Sequence, residues 1–161
     1  MNTYKIVIAA SALAAFAGTA TTASAKSMQC APVSAAAVEG LFAKFSDAWA
    51  TKDPAKVTSL FTKDAVLLAT VSNKPRTTPE GINDYFVSFL KNSPVGTINT
   101  STVKLGCNTA SRLGTWTVTF TDAKTGAKTD VKARYSFIYR MEAGKWMIDH
   151  LHSSMMPEPT A

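Results

Sequence analysis

Beyond Ala25 the sequence has no apolar run approaching the roughly 20 residues that a membrane-spanning helix needs, so no membrane anchor is expected in the body of the chain. Histidine is scarce. His150 and His152 are the only two, two positions apart, and a catalytic zinc centre wants three protein ligands with a supporting shell. With no acidic cluster nearby, no metal site is predicted. There is no Gly-x-Ser-x-Gly elbow, which argues against a serine hydrolase of that type. A kinase is excluded by the lack of a glycine-rich loop, a catalytic Asp motif and sufficient length, and no flavin or nicotinamide motif is present, so no cofactor is expected. Lysine and arginine outnumber acids 17 to 11, for a net charge of +6, yet no block of five cations and no arginine-rich helix occurs. Scattered cations read as solvated surface, and nucleic acid is not an expected partner. Repeats and low-complexity linkers are absent as well.

What is present begins with an export signal. Lys5 precedes an apolar run from Ile6 to Ala17, and Ala23-Ser24-Ala25 forms an A-x-A site. This pattern predicts a signal peptide over residues 1–25, cleaved after Ala25, and a periplasmic or extracellular protein with no membrane attachment after cleavage. A lead-in over 26–34, one domain over 35–157 and a tail over 158–161 complete the expected organisation. In an oxidising compartment the two cysteines, Cys30 and Cys107, are expected to form one disulfide between the lead-in and a mid-sheet strand; a reactive thiol would need a local base or helix terminus that the sequence does not offer.

Helical signals come first. Val38, Leu41, Phe42, Phe45 and Trp49 recur at three and four residue spacings after Ser34. Asp53-Pro54 and Thr78-Pro79 each place a capping side chain before a proline, predicting a short helix carrying Val57, Leu60 and Phe61 and a longer one carrying Ile82, Tyr85, Phe86, Phe89 and Leu90. A strand over Ala65–Ser72 is expected between them. From residue 97 onward the chain reads as β: two Thr- and Val-rich stretches, then "VKARYSFIYR" and "KWMIDHLHSS". Trp116, Val118 and Phe120 share one face, as do Ala133, Tyr135, Phe137 and Tyr139. The order α-α-β-α-β-β-β-β predicts an α+β domain whose antiparallel meander is covered by three helices.

The final hairpin carries the histidines. With Met141 to Gly144 as its loop, Tyr139 pairs with Trp146, Phe137 with Ile148 and Tyr135 with His150. A period of two then directs Trp146, Ile148, His150 and His152 toward the helices, with Asp149 and Leu151 outward. Two imidazoles there are read either as satisfied core groups or as part of a pocket.

Taken together, "GKWMIDHLHSSMMP", "DAWATKDPAKVTSLFTKDAVLL", "TVSNKPRTTPEGINDYF", "GCNTAS" and "ARYSFIYR" resemble the association (hub) domain of calcium/calmodulin-dependent protein kinase II, in its secreted bacterial, SnoaL-like form, over Ala35 to Pro157. The resemblance implies the cone-shaped α+β barrel of the nuclear transport factor two-like superfamily, a curved mixed sheet wrapped round the helices, and self-association as a homodimer or larger ring. His150, His152 and Ser153 match the hub strand that borders its pocket, and Arg76 is expected as a cation at the pocket mouth. Arg134 is not carried over, because its distance to the final Gly-Lys-Trp differs from the hub.

Two functions follow from this reading. One is a non-catalytic module that self-associates and binds a small carboxylate or apolar molecule through Arg76, Trp116, Tyr135, His150, His152 and Ser153. The other is a cyclase- or isomerase-type enzyme with His150 or His152 as general base and Tyr135 as hydrogen-bond donor. The aromatic row is, on a third reading, plain core.

Overall fold

The computed structural model describes residues 29–157; the expected signal peptide and tail lie outside them. Helix α1 (Ala35–Ala50) starts where the Ser34 side chain accepts from the Ala37 N–H. Asp53 caps α2 (Pro54–Thr58) by accepting from Ala55 and Lys56, and Thr78 caps α3 (Pro79–Phe89) by accepting from Gly81. In α2 and α3 the proline sits in the first turn, where its missing N–H costs nothing. A single 3-10 turn, Leu90–Asn92, ends the third helix.

The strands are β1 (Phe61–Leu68), β2 (Val95–Ile98), β3 (Thr102–Leu105), β4 (Thr109–Thr121), β5 (Lys128–Glu142) and β6 (Lys145–Met155). They form one six-stranded sheet in the order β1-β6-β5-β4-β2, with β3 also paired to β4. The pairing of β1 with β6 is parallel and the rest is antiparallel, so the sheet is mixed and curved but not closed into a barrel. Two expectations need correction. The first strand begins at Phe61 rather than Ala65. The stretch expected as one strand before Cys107 is two, because its pairing along one edge of β4 is interrupted at Asn99 and Thr100, which both donate to the Thr115 carbonyl. Gly114 permits the close approach of that irregular segment: a Cβ there would lie 2.0 Å from the Thr100 carbonyl oxygen.

Val38, Phe45 and Trp49 of α1 and Ile82, Phe86 and Phe89 of α3 pack onto the inner face of the sheet, against Trp116, Val118, Ala133, Tyr135, Phe137 and Tyr139. The rings meet edge to face, with Phe45 5.3 Å from Phe137 and Trp49 4.8 Å from Phe89, the arrangement favoured by aromatic quadrupoles. Arg112 also points inward and is 7% exposed. Its Nε donates to Ser101 Oγ, its Nη1 donates to the Glu39 carbonyl, and its guanidinium lies 5.6 Å from the Phe42 ring centre. Cys30 and Cys107 are disulfide-bonded as expected, although Cys107 sits in the turn between β3 and β4 rather than within a strand. Asn108 reinforces this clamp by accepting from the Ala31 N–H and donating to the Gln29 carbonyl.

Candidate functional site

The hairpin register reverses the expected placement of the histidines. Its loop is Ala143-Gly144 alone, both at positive φ, with Glu142 paired to Lys145 and Met141 to Trp146. That shifts the pairing by two residues and leaves Ile148 inward, opposite Tyr139. The parity changes one step later. Ile138 pairs with His150 while Tyr139 pairs with Ile148, so Asp149 is an extra residue, a β-bulge. Beyond it Leu151 pairs with Phe137 and is 3% exposed, and Ser153 pairs with Tyr135 and is 5% exposed. His150 and His152 therefore lie on the outer face of the sheet, half-buried and exposed respectively, and Leu151 occupies the inward position expected of an imidazole.

An ion-pair cluster sits at the bulge. Arg140 draws three carboxylates together: Asp64 from β1, Glu142 from its own strand and Asp149 from β6 at 3.0 Å. Asp149 also accepts from Thr62 Oγ1 at 3.2 Å. Strand β1 is irregular at the same level, between Phe61 and Val66. The Arg140 guanidinium holds the Asp64 carboxyl below the usual carboxylate range, and Asp64 in turn raises Arg140.

The interior of the cone is filled. Trp116 and Tyr135, expected to line a pocket, are 2% and 3% exposed. Tyr135 donates its hydroxyl to the Thr100 carbonyl at 2.9 Å, which commits the group expected to act on a substrate. Trp116 Nε1 donates to Ser153 Oγ at 3.0 Å, and Thr70 Oγ1 donates to the same oxygen at 2.5 Å. What remains of the hollow is a void of about 10 Å³ between Trp49, Phe86, Leu67, Trp116 and Ser153, the room of one water molecule.

Open space lies further out, in a cleft of about 510 Å³ between α3 and the end of the β4–β5 hairpin. Val71, Tyr85, Phe89, Phe120 and Val131 supply its apolar walls, and Arg76 and Asp84 its charges. Two backbone hydrogen bonds with Leu67 fix Arg76 in place. Its guanidinium lies 5.9 Å from the centre of the Tyr85 ring, and its Nη1 donates to the Lys74 carbonyl. Burial pushes the Tyr85 hydroxyl well above the ordinary phenol range, with the Arg76 charge pulling it partly back. Among the described residues Arg76 has no carboxylate within ion-pairing distance. The structure thus separates the six residues expected to bind ligand: Arg76 at the cleft, Trp116, Tyr135 and Ser153 in the core, and His150 and His152 outside. Asp84 and Tyr85 were not anticipated as cleft residues. Their neighbourhood to Arg76 arises because the turn before α3 folds back over the helix.

Comparison with known proteins follows the same lines. Residues 34–157 match the calcium/calmodulin dependent protein kinase II association domain. A protein of Xanthomonas campestris described as such a domain is 46% identical, with 80% of this chain and 91% of that one aligned at a TM-score of 0.76. The association domain of C. elegans CaMKII is 20% identical over 73% of this chain and 92% of its own, TM-score 0.61. A ketosteroid isomerase-like protein from Erwinia carotovora atroseptica is 19% identical over 76% and 96%, TM-score 0.62. No curated protein matches the chain. With a family match across the whole described domain and a sheet and helix order to go with it, the chain belongs to the calcium/calmodulin dependent protein kinase II association domain family.

Proposed function

We propose that this protein is an exported module that associates with further copies of itself and holds a small, partly apolar anion in the cleft between α3 and the β4–β5 hairpin, without transforming it. The observation that carries the reading is the Arg76 guanidinium, half-buried over Tyr85, without a carboxylate partner among the described residues, in a cleft of about 510 Å³. That size suits a small molecule, and apolar walls with one convergent charge are the usual design of such sites. The family supports self-association. The disulfide suits export, and no helix among the described residues is long and apolar enough to cross a membrane.

Binding is favoured over turnover because the proposed general bases, His150 and His152, lie across the sheet from the cleft and the Tyr135 hydroxyl is already engaged. Phenylacetate titrated into the protein lacking residues 1–25 tests the reading by calorimetry, with sedimentation velocity reporting assembly. Binding is expected to weaken at least tenfold in Arg76→Gln and to be unaffected by His152→Gln. Equal affinity in the wild type and Arg76→Gln removes the cleft from the function.

A further inference from the structure

The bulge at Asp149 leaves both histidines of the protein on one face of one strand, at alternate positions, with ring centres 6.5 Å apart and planes inclined at 48°. We propose that His150 and His152 form a two-nitrogen chelate for an imidazole-preferring divalent ion, Cu²⁺, Ni²⁺ or Zn²⁺, on the outer face of the sheet. The site goes beyond the anion cleft and does not depend on it.

The geometry is close to what chelation requires. A metal–nitrogen bond of about 2.0 Å plus about 1.1 Å from that nitrogen to the ring centre puts each centre about 3.1 Å from the ion. Two imidazoles at a tetrahedral angle then have centres about 5 Å apart. The observed spacing must close by a little over 1 Å. His152 is free to make that movement: it is exposed and makes no hydrogen bond or ion pair among the described residues. His150 supplies the fixed half. It is half-buried on the strand paired with β1, with Val66 as its register partner there.

The surroundings select the ion. Opposite the pair on β5 stand Ser136 and Ile138, and Ser154 follows on β6. Among the described residues no carboxylate joins them, and Asp149 is held by Arg140 and Thr62. Among the described residues no group of three or more potential ligands occurs. A hard ion such as Mg²⁺ or Ca²⁺ finds no oxygen cage here, whereas imidazole pairs suit the later transition metals. Arg134 and His152 share a hollow of about 390 Å³. That cation repels a dication, so the affinity falls below that of a three-ligand zinc centre, and it offers a counter-anion a partner.

The test is Cu²⁺ added to the protein lacking residues 1–25 and followed by electron paramagnetic resonance, with Zn²⁺ and Ni²⁺ measured by calorimetry. One bound Cu²⁺ per chain with hyperfine coupling from two imidazole nitrogens is expected. His152→Gln should weaken binding at least tenfold and leave coupling from one imidazole, and His150→Gln should do the same, while Arg76→Gln changes neither. One ion per two chains, lost in both histidine variants, also supports the pair, with a second copy completing the coordination. Binding that is equal in the wild type and both variants, or coupling without imidazole nitrogen, overturns the proposal. Circular dichroism of each variant confirms that the fold is kept.

Discussion

Trp116 and Ser153 meet across the inner face of the sheet, the indole N–H donating to the serine oxygen at 3.0 Å from a strand that is not its neighbour. Thr70 donates to the same oxygen, so one serine satisfies polar groups from β4 and from the loop after β1. Replacing Ser153 with Ala leaves the indole N–H and the threonine hydroxyl without their acceptor. Urea denaturation is expected to show a loss of about 1–3 kcal/mol, the usual cost of stranding a buried polar group. A variant as stable as the wild type would mean that water in the adjoining void serves equally well.

The disulfide closes a loop with a sequence separation of 77. In the chain-entropy account a loop of that length stabilises the fold by about 4 kcal/mol. Cys30→Ser combined with Cys107→Ser should lower the thermal midpoint, and reducing agent should depress the wild type toward the same value. Reduction that leaves the midpoint unmoved would show that Asn108 and the packing of residues 29–34 suffice.

His150 ties stability to mildly acidic pH. Burial holds it below its ordinary range, followed by the charge of His152, while the Val66 backbone and Asp149 pull it back. The unfolded chain, with a value of about 6.5, takes up the proton first as pH falls. Stability is therefore full above about pH 6.5 and declines as pH falls through the lower folded-state value. Asp64 and Asp122, both lowered, contribute in a separate and more acidic window. Thermal midpoints between pH 7 and 5 should fall less steeply for His150→Gln than for the wild type. Identical slopes would contradict the assignment.

Local signals were readable where the cause is local. Ser34, Asp53 and Thr78 cap the helices they announce, and the alternation of Trp116, Val118 and Phe120 marks the buried face of β4. Carried back by twos, that alternation reaches Arg112, so its burial was available in the pattern. The tight turn was harder to see, because Ala143-Gly144 lacks the Asn-Gly pair that usually announces two residues at positive φ. Pleat parity in β6 was not readable. It turns on one looped-out residue, Asp149, at a level where Arg140 meets Asp149 and Asp64, contacts that leave no trace in the spacing of apolar residues.

That single looped-out residue decides which way the end of the last strand faces. Were Asp149 drawn into the ladder opposite Ile138, the same His-Leu-His tripeptide would turn inside out, lining the hollow with imidazole and showing leucine to solvent, whereas its deletion would leave the present faces unchanged. Relatives that carry this tripeptide therefore share letters without necessarily sharing chemistry. Whether the residue before the first histidine pairs or loops out, and not its spacing from the Gly-Lys-Trp, decides which side they present.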